Sequence, residues 1–522
     1  MNNFIKKIFS SKKITNKNIP DKQSPKEDPV DIDSSIGKNK SYIESRFSNC
    51  FDLVIREISL FNIKEKKALI VYLEGFSEKS LIENFLIAKL TSDNYSKDSY
   101  TDEIQFIKST FGIKDEKIYT DINKSIKAII SGNPVVFIDG LEKSFEINLN
   151  SPPKRNINEP PTDSVLRGPR EGFTESLIEN ANLIRKKIKN PNLKMEKFVL
   201  GKETNTDIII SYISGVTDNK IVEEVKKRLK KIDVESVLDS NYIEEYISDE
   251  PISIYPLIFK TEKPDIAASK LLEGKVIIIV DGSPVALSVP TLFIEFFQSG
   301  EDYYIKYSSA TLNRIIRCLS LIITITLPGI YVALNNFHQE LIPTKLIISI
   351  VDSRSSVPLP ALWESFFMLV TFEIMREAGM RMPKTLGPAI SIVGGLVLGD
   401  AAVNAGIVGT PIVVIVSLTA ITKFTVPSIE FELPIVYIRF FFLFLSGYLG
   451  LIGLTCGILL ISTRLAAIRC FGIPYMFPIF PFNIDPQEDQ IIRSPIWKLN
   501  HTQKSNKLKN NFISNRIHKH IS

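Results

Sequence analysis

Histidine, cysteine and tryptophan are scarce in this chain, at four, four and two residues among 522. His338, His501, His518 and His520 do not cluster, so no nucleophile with an adjacent base can be read. Cys50, Cys318, Cys456 and Cys470 are scattered without metal-ligand spacing. Three of them lie in or beside apolar segments, where a free thiol behaves as a small hydrophobe. A disulfide framework, a metal centre, a catalytic site and a bound cofactor are therefore not expected. The start, MNNFIKKIFSSKK, lacks a continuous apolar core. No signal peptide is expected, and the N-terminal half should stay in the cytoplasm. Acids are missing at both ends. Lys6, Lys7, Lys12, Lys13 and Lys17 precede Asp21, while Arg493, Lys498, Lys504, Lys507, Lys509, Arg516 and Lys519 follow Asp489. Such runs read as solvated tails, here residues 1–40 and 481–522. The net charge of +5 is modest, and no nucleic-acid partner is expected.

Charge is also missing from much of residues 314–480, whereas residues 1–313 are rich in Lys and Glu. The expected fold is thus an α/β cytoplasmic region followed by an α-helical, multi-span membrane domain. The α/β region reads as two related subdomains. ALIVYLEGFSEKSLIENFLIAKL (68–90) and DIIISYISGVTDNKIVEEVKKRL (207–229) each give a strand, a turn at Gly75 or Gly215, and a helix-period segment. GNPVVFIDGLEKSFEI (132–147) and EGKVIIIVDGSPVALSV (273–289) each place Asp-Gly between two apolar runs, a signal for a type I′ hairpin. Both pairs are offset by about the same distance, which argues for an internal duplication. The expected subdomains are 41–148 and 164–310, with a Pro-rich linker over 149–163. Thr174 and Glu175 suit a helix start, and Pro191 should stop that helix at Asn190. The Arg167-Gly168-Pro169-Arg170 loop lacks the Gly-Lys-Ser/Thr ending of a phosphate loop. It reads as a rigid turn whose Arg167 and Arg170 serve a subunit contact, or as an anion cradle.

Roughly four to six helical spans are expected over 311–480. Cys318–Phe337 carries no charge and is flanked by Arg314 and Arg317, as expected for a cytoplasmic N-terminus. Pro328-Gly329 should bend it. Ile435–Ile461 reads as one long tilted helix, with Gly447, Gly450, Gly453 and Gly457 near one face for close helix packing. Leu386–Val403 is Gly-rich and carries Asp400, and Ile407–Ile421 is apolar up to Lys423. Residues 341–351 are too short to cross and should re-enter or lie at the interface. Both termini should face the cytoplasm, which requires an even number of spans.

The stretch TFEIMREAGMRMPKT (371–385) sets charges inside this apolar region. On a helix Glu373, Arg376 and Glu377 fall at i, i+3 and i+4 and share a face, with Arg381 at the helix end. An ionisable group at mid-membrane costs at least ~2.5 kcal/mol even on the lenient insertion scale. The face therefore meets water or another subunit, or the helix lies flat with its charges among headgroups. Glu364, Glu373, Arg376, Glu377, Arg381, Asp400 and Asn404 are the candidate pore or intramembrane charge residues.

VLRGPREGFTESLIENANLIRKKI, YISGVTDNKIVEEVKKRL, TEKPDIAASKLLEGKVIIIVDGSP, EDYY, FEIMREAGMRMP, SIVGGLVLGDAAVNAGIV and FGIPYMFPIFPF occur in this order. In these motifs the chain resembles the A subunit of the GerA-type germinant receptors of endospore-forming bacteria, over roughly residues 41–483. Lys263 stands where Arg is usual in that family, and Asp400 where Gln is common. The resemblance implies a place in the spore inner membrane beside a transporter-like B subunit and a lipoprotein C subunit. It also implies a homo-oligomer, a pentamer, forming a ligand-gated ion channel that begins germination. A small-solute secondary transporter is the competing function, and an anchored phosphate-processing enzyme using Arg167 and Arg170 is a third.

Overall fold

The computed structural model describes residues 28–60, 66–76, 81–91, 104, 107–108, 111–112, 114, 117–149, 167–381, 399–480, 489–490 and 492–497. Residues 150–163 of the expected linker and most of the expected tails lie outside the described residues. By internal contacts the chain divides into two units, residues 1–46 with 53–152, and residues 47–52 with 153–522.

The first helix of the first unit, α1 (Ile36–Arg46), begins inside the stretch expected to be a tail up to residue 40. Strands β1 (Leu53–Ser59) and β2 (Lys67–Leu73) follow, then a helical stretch from Ile82 to Thr91. After these come β3 (Ile118–Tyr119), α2 (Ile122–Ile130), β4 (Val135–Ile138) and β5 (Ser144–Glu146). The sheet is antiparallel in the order β1-β2-β4-β5-β3. Ala68, Ile70 and Tyr72 of β2 pack with Val136, Ile138 and Phe145, under Ile82, Leu86 and Leu90 of the helical stretch.

The second unit repeats this pattern. It comprises α3 (Leu177–Lys187), β6 (Leu193–Leu200), β7 (Thr206–Ile213), α4 (Asn219–Lys231), α5 (Ser240–Ile247), β8 (Phe259–Thr261), α6 (Pro264–Leu272), β9 (Val276–Val280) and β10 (Ala286–Val289). Its order is β6-β7-β9-β10-β8, again antiparallel. The sheet is covered on both faces, which is why its central strands read as unbroken apolar runs. Ile208, Ile210, Val276, Ile278 and Val280 meet Val222, Val225 and Leu229 of α4. The alternate residues Ile209, Ile277 and Ile279 meet Ala181 and Ile184 of α3 and Leu271 of α6.

The two sheets share their details. Gly75 and Gly215 follow β2 and β7 with φ of 84° and 81°, a conformation that glycine adopts at little cost. The Asp-Gly pairs join antiparallel strands through longer loops than a two-residue type I′ turn, and positive φ is confined to Gly140 and Gly282. Asp139 and Asp281 instead cap helices. Asp139 Oδ1 accepts from Ile36 N at 3.4 Å, and Asp281 Oδ1 from Leu177 N at 3.1 Å. Asn39 clasps the backbone of Asp33 through both side-chain atoms, and Asn180 clasps that of Thr174 in the same way. This explains why α3 begins at Leu177 rather than at Thr174, with Ser176 giving no side-chain cap. It ends at Lys187, short of Asn190. Asp281→Ala should lower stability by about 1 kcal/mol, and Asp139→Ala by less because its bond is longer. Unfolding midpoints of the purified chain in detergent check this, and equal or reversed losses would refute it.

The helical part follows directly within the second unit. It comprises α7 (Tyr307–Asn336), α8 (Thr344–Arg354), α9 (Ala361–Arg381), α10 (Gly399–Asn404), α11 (Thr410–Lys423) and α12 (Glu432–Ala467). Among the described residues, two helical segments are long and apolar enough to cross a membrane, Tyr307–Asn336 and Ile429–Ala467. That is fewer than the expected four to six. The Leu386–Val403 segment falls mostly outside the described residues. Helix α7 runs continuously through Pro328, and residues 344–354 form the helix α8.

Helix α12 is not the single tilted helix expected. Its backbone leaves helical geometry at Gly450, with φ 62° and ψ −145°. A Cβ on Gly457 would lie 3.0 Å from the Phe442 ring, and one on Gly453 would strike the Leu445 carbonyl. In a straight helix Phe442 and Gly457 stand about 22 Å apart at 1.5 Å per residue. The chain therefore folds back at Gly450 into two legs, 432–449 and 451–467, each roughly 26 Å long. The four glycines do not share one packing face. Gly447 meets Leu362 of α9, Gly450 turns beside Phe337 and His338, and Gly453 and Gly457 seat the second leg on the first. Gly329 of α7 lets Ser446 and the Phe442 carbonyl approach closely.

Candidate functional site

The charges of α9 separate into two groups. Glu373 and Arg376 turn into the helical bundle, where Arg376 Nε donates to Glu373 Oε2 at 2.9 Å. Lys423, at the end of α11, donates to both Glu373 oxygens at 3.1 and 3.2 Å. Arg439, on the first leg of α12, donates through Nη2 to Glu373 Oε1 at 2.5 Å. Arg376 Nη1 also donates to Glu432 Oε2 at 2.6 Å. Three cations thus converge on two carboxylates and tie α9, α11 and α12 together. Lys423 and Arg439 are buried, and Arg439 Nε and Nη1 have no hydrogen-bond partner among the described residues. Such a cluster holds in an apolar bundle only because each charge has an opposite one within bonding distance.

Glu377 lies outside this cluster. Although it shares the helical face of Glu373 by spacing, it is exposed and pairs with exposed Arg381 at 2.8 Å. Glu364 stands apart from both groups. Its Oε1 accepts from Gly409 N at 2.6 Å, capping α11 at its positive end, and Arg354 of α8 sits 3.3 Å from its Oε2. A Cβ on Gly409 would crowd Arg354 and this carboxylate, which explains the glycine. Between these polar ends lies an apolar core of Tyr331, Val332, Leu362, Leu369, Ile412, Val416 and Leu443. Thr324 and Thr422 bond across α7 and α11 at 2.8 Å. Asp400 and Asn404, one turn apart on α10, are both exposed.

The Glu301-Asp302-Tyr303-Tyr304 motif joins the second sheet to α7. Buried Asp302 accepts from Arg314 Nε at 3.0 Å and from Arg317 Nη1 at 2.8 Å. The two arginines that flank the apolar run of α7 are thus paired with this carboxylate. Tyr303 donates to Asp489 at 2.8 Å, and Arg314 reaches the carbonyls of Asp489 and Gln490. Burial pushes the Asp489 carboxyl above its ordinary value, against these bonds. With Arg493 and Ser494 also buried, this stretch of the expected solvated tail is docked. Tyr304 donates to Asp265 at 2.5 Å and lies so close to Gly168 that a Cβ there would meet its ring at 2.7 Å. Arg167 and Arg170 flank that glycine on the exposed side.

Sequence reading found the Glu373–Arg376 pair but not Lys423, Arg439 and Glu432 as its partners. The available signal was that Lys423 and Arg439 each interrupt an apolar run, as Glu373 does. Lone opposite charges on separate apolar helices are candidates for mutual pairing.

Two α/β sheets of the same strand order, the second followed by helices of which two, among the described residues, are long and apolar enough to cross a membrane, define the class of this protein. The chain belongs to the GerA family: the model of the Bacillus/Clostridium GerA spore germination protein matches residues 41–505. Spore germination protein KA of Bacillus subtilis (strain 168) is 42% identical over 478 residues, covering 91% of this chain and 87% of that protein. Spore germination protein B1 of the same organism is 34% identical, covering 89% and 96%. The crystal structure of the N-terminal domain of the A subunit of the Bacillus megaterium spore germinant receptor GerK3 is 29% identical, with a TM-score of 0.41. It spans 51% of this chain and 99% of that one.

Proposed function

We propose that this chain is the A-type membrane subunit of a germinant receptor complex, beside a transporter-like B subunit and a lipoprotein C subunit. In this reading, copies of it assemble, as a pentamer, into a ligand-gated ion channel in the spore inner membrane. The α/β region and C-terminal tail face the spore core. Packing of both ends of the α12 hairpin with Phe296 and Tyr255 of the α/β region supports placing that region and the C-terminal tail on the same side. The observation that carries the channel reading is the exposure of Glu377, Asp400 and Asn404 on the helical part. Lipid does not tolerate exposed charge at depth, so these groups need a water-filled path or a second copy. Glu373 is consumed inside the chain, which moves the candidate ring of carboxylates to Glu377 and Asp400.

The test is conductance of the purified chain in planar bilayers. Asp400→Asn and Glu377→Gln should each lower cation conductance severalfold while leaving membrane abundance near the parental level. Absence of any conductance, or conductance indifferent to both changes, refutes the reading. The helix broken at Gly450 and an apolar cavity of about 590 Å³ between α7, α8 and α11 favour a small-solute carrier as the alternative. That alternative predicts solute uptake by this chain alone.

A further inference from the structure

The loop after α5, residues 248–257, is held against both ends of the α12 hairpin. Asp249 accepts from Phe471 N at 2.6 Å and from Arg228 at 2.6 Å, and Glu250 pairs with Arg464 on the second leg. Tyr475 donates to the Pro256 carbonyl at 2.8 Å, and Cys470 Sγ donates to that of Leu257. Tyr255 and Leu257 share a core with Phe431 and Ile435 at the start of the first leg and with Leu465 and Ile468 at the end of the second. The loop therefore lies at the level where both legs begin and end.

At that level Ile252 is 97% exposed and Ile254 is 48% exposed. Both acids of the loop are already paired, so no unpaired carboxylate of the loop competes with this apolar tip. Exposed Arg469 and Arg464 lie on the adjoining end of the hairpin, and Leu459 and Leu460, farther along the second leg, are exposed apolar residues. Exposed isoleucines flanked by arginines, at the end of an apolar helical hairpin, have the chemistry of an interfacial anchor.

We propose that residues 252–254 dip into the boundary between headgroups and acyl chains, so that the α/β region is fixed to the lipid surface at a second point besides its helices. The occupant of this surface is lipid. This rests on the reading of the α12 legs as membrane-embedded, and the test separates the two. Full-length chain carrying Ile252→Trp, and separately Leu459→Trp, is reconstituted in phosphatidylcholine–phosphatidylglycerol vesicles. Emission is compared with the parent chain, with lipids brominated either near the headgroup or deeper in the acyl chain, and with aqueous iodide. The expected result is that lipid bromine quenches the added emission at both positions by roughly twofold, with little effect of iodide. Quenching at Leu459→Trp with iodide access at Ile252→Trp overturns the anchor and leaves the membrane reading standing. Blue-shifted Ile252→Trp emission that neither agent quenches means a protein partner covers the loop, which also overturns it. Lipid quenching at neither position removes both readings. Ile254→Trp serves as the second probe if Ile252→Trp does not accumulate.

Discussion

Glu373→Gln is expected to strip this protein from the membrane fraction, whereas Glu377→Gln leaves it at the parental level. The two glutamates lie one turn apart on α9, yet only Glu373 faces Arg376, Lys423 and Arg439. Glutamine keeps the shape, but it turns an amide donor toward cations and removes the charge that holds them. Breaking one side of a buried ion pair costs ~3–5 kcal/mol, because the remaining charge is stranded. Here Arg439 is fully buried and already carries two nitrogens without a hydrogen-bond partner among the described residues. Glu377, by contrast, makes an exposed i,i+4 pair with Arg381, worth ~0.3–0.5 kcal/mol at most. Immunoblots of membrane fractions and unfolding midpoints in detergent check both. Combining Glu373→Gln with Lys423→Gln should recover part of the loss, since one stranded cation is then removed. Parental abundance and midpoint for Glu373→Gln alone would show that the cluster contributes nothing to stability.

Substitution at Gly450 should collapse the helical hairpin. Its φ of 62° with ψ of −145° belongs to a region that side chains avoid, at a cost of order 1–3 kcal/mol. A Cβ there also meets His338 at 2.9 Å and Phe337 at 3.0 Å. Gly450→Val therefore combines backbone strain with a clash against the end of α7, and should lower the unfolding midpoint strongly. Gly472→Ala is the comparison: φ is again positive, at 80°, but nothing lies within 4 Å of the added carbon. Strain alone should cost it about 1–2 kcal/mol. The hairpin itself has a direct assay. Cysteines replacing Phe442 and Gly457 should cross-link on oxidation within one chain. In an unbroken helix the two positions are about 22 Å apart and cannot. Failure to cross-link in the parental background would refute the fold-back, and its loss on adding Gly450→Val would tie the fold-back to that glycine.

Several features of this protein were written in local sequence. The apolar runs at 208–213 and 276–280, with turn residues after them, announce strands, and the matching runs at 68–73 and 135–138 announce a related second subdomain. Ordered motifs from VLRGPREGF to FGIPYMFPIF are enough for family membership. The pairing of Glu373 with Arg376 follows from helical spacing alone. These are short-range or pattern-level properties, fixed by side-chain periodicity and by neighbours within a turn. What only the tertiary structure decided depends on groups far apart in the chain. Asp281 caps the helix at Leu177, Glu364 caps the one that begins after Gly409, and Asp489 docks on Tyr303 and Arg314. Lys423 and Arg439 turn Glu373 inward while Glu377, with the same nominal face, stays exposed. The run Ile435–Ile461 is apolar throughout except at Arg439, so composition gives it one long helix. The left-handed backbone at Gly450 folds it in two, because the second leg then buries Gly453 and Gly457 against the first.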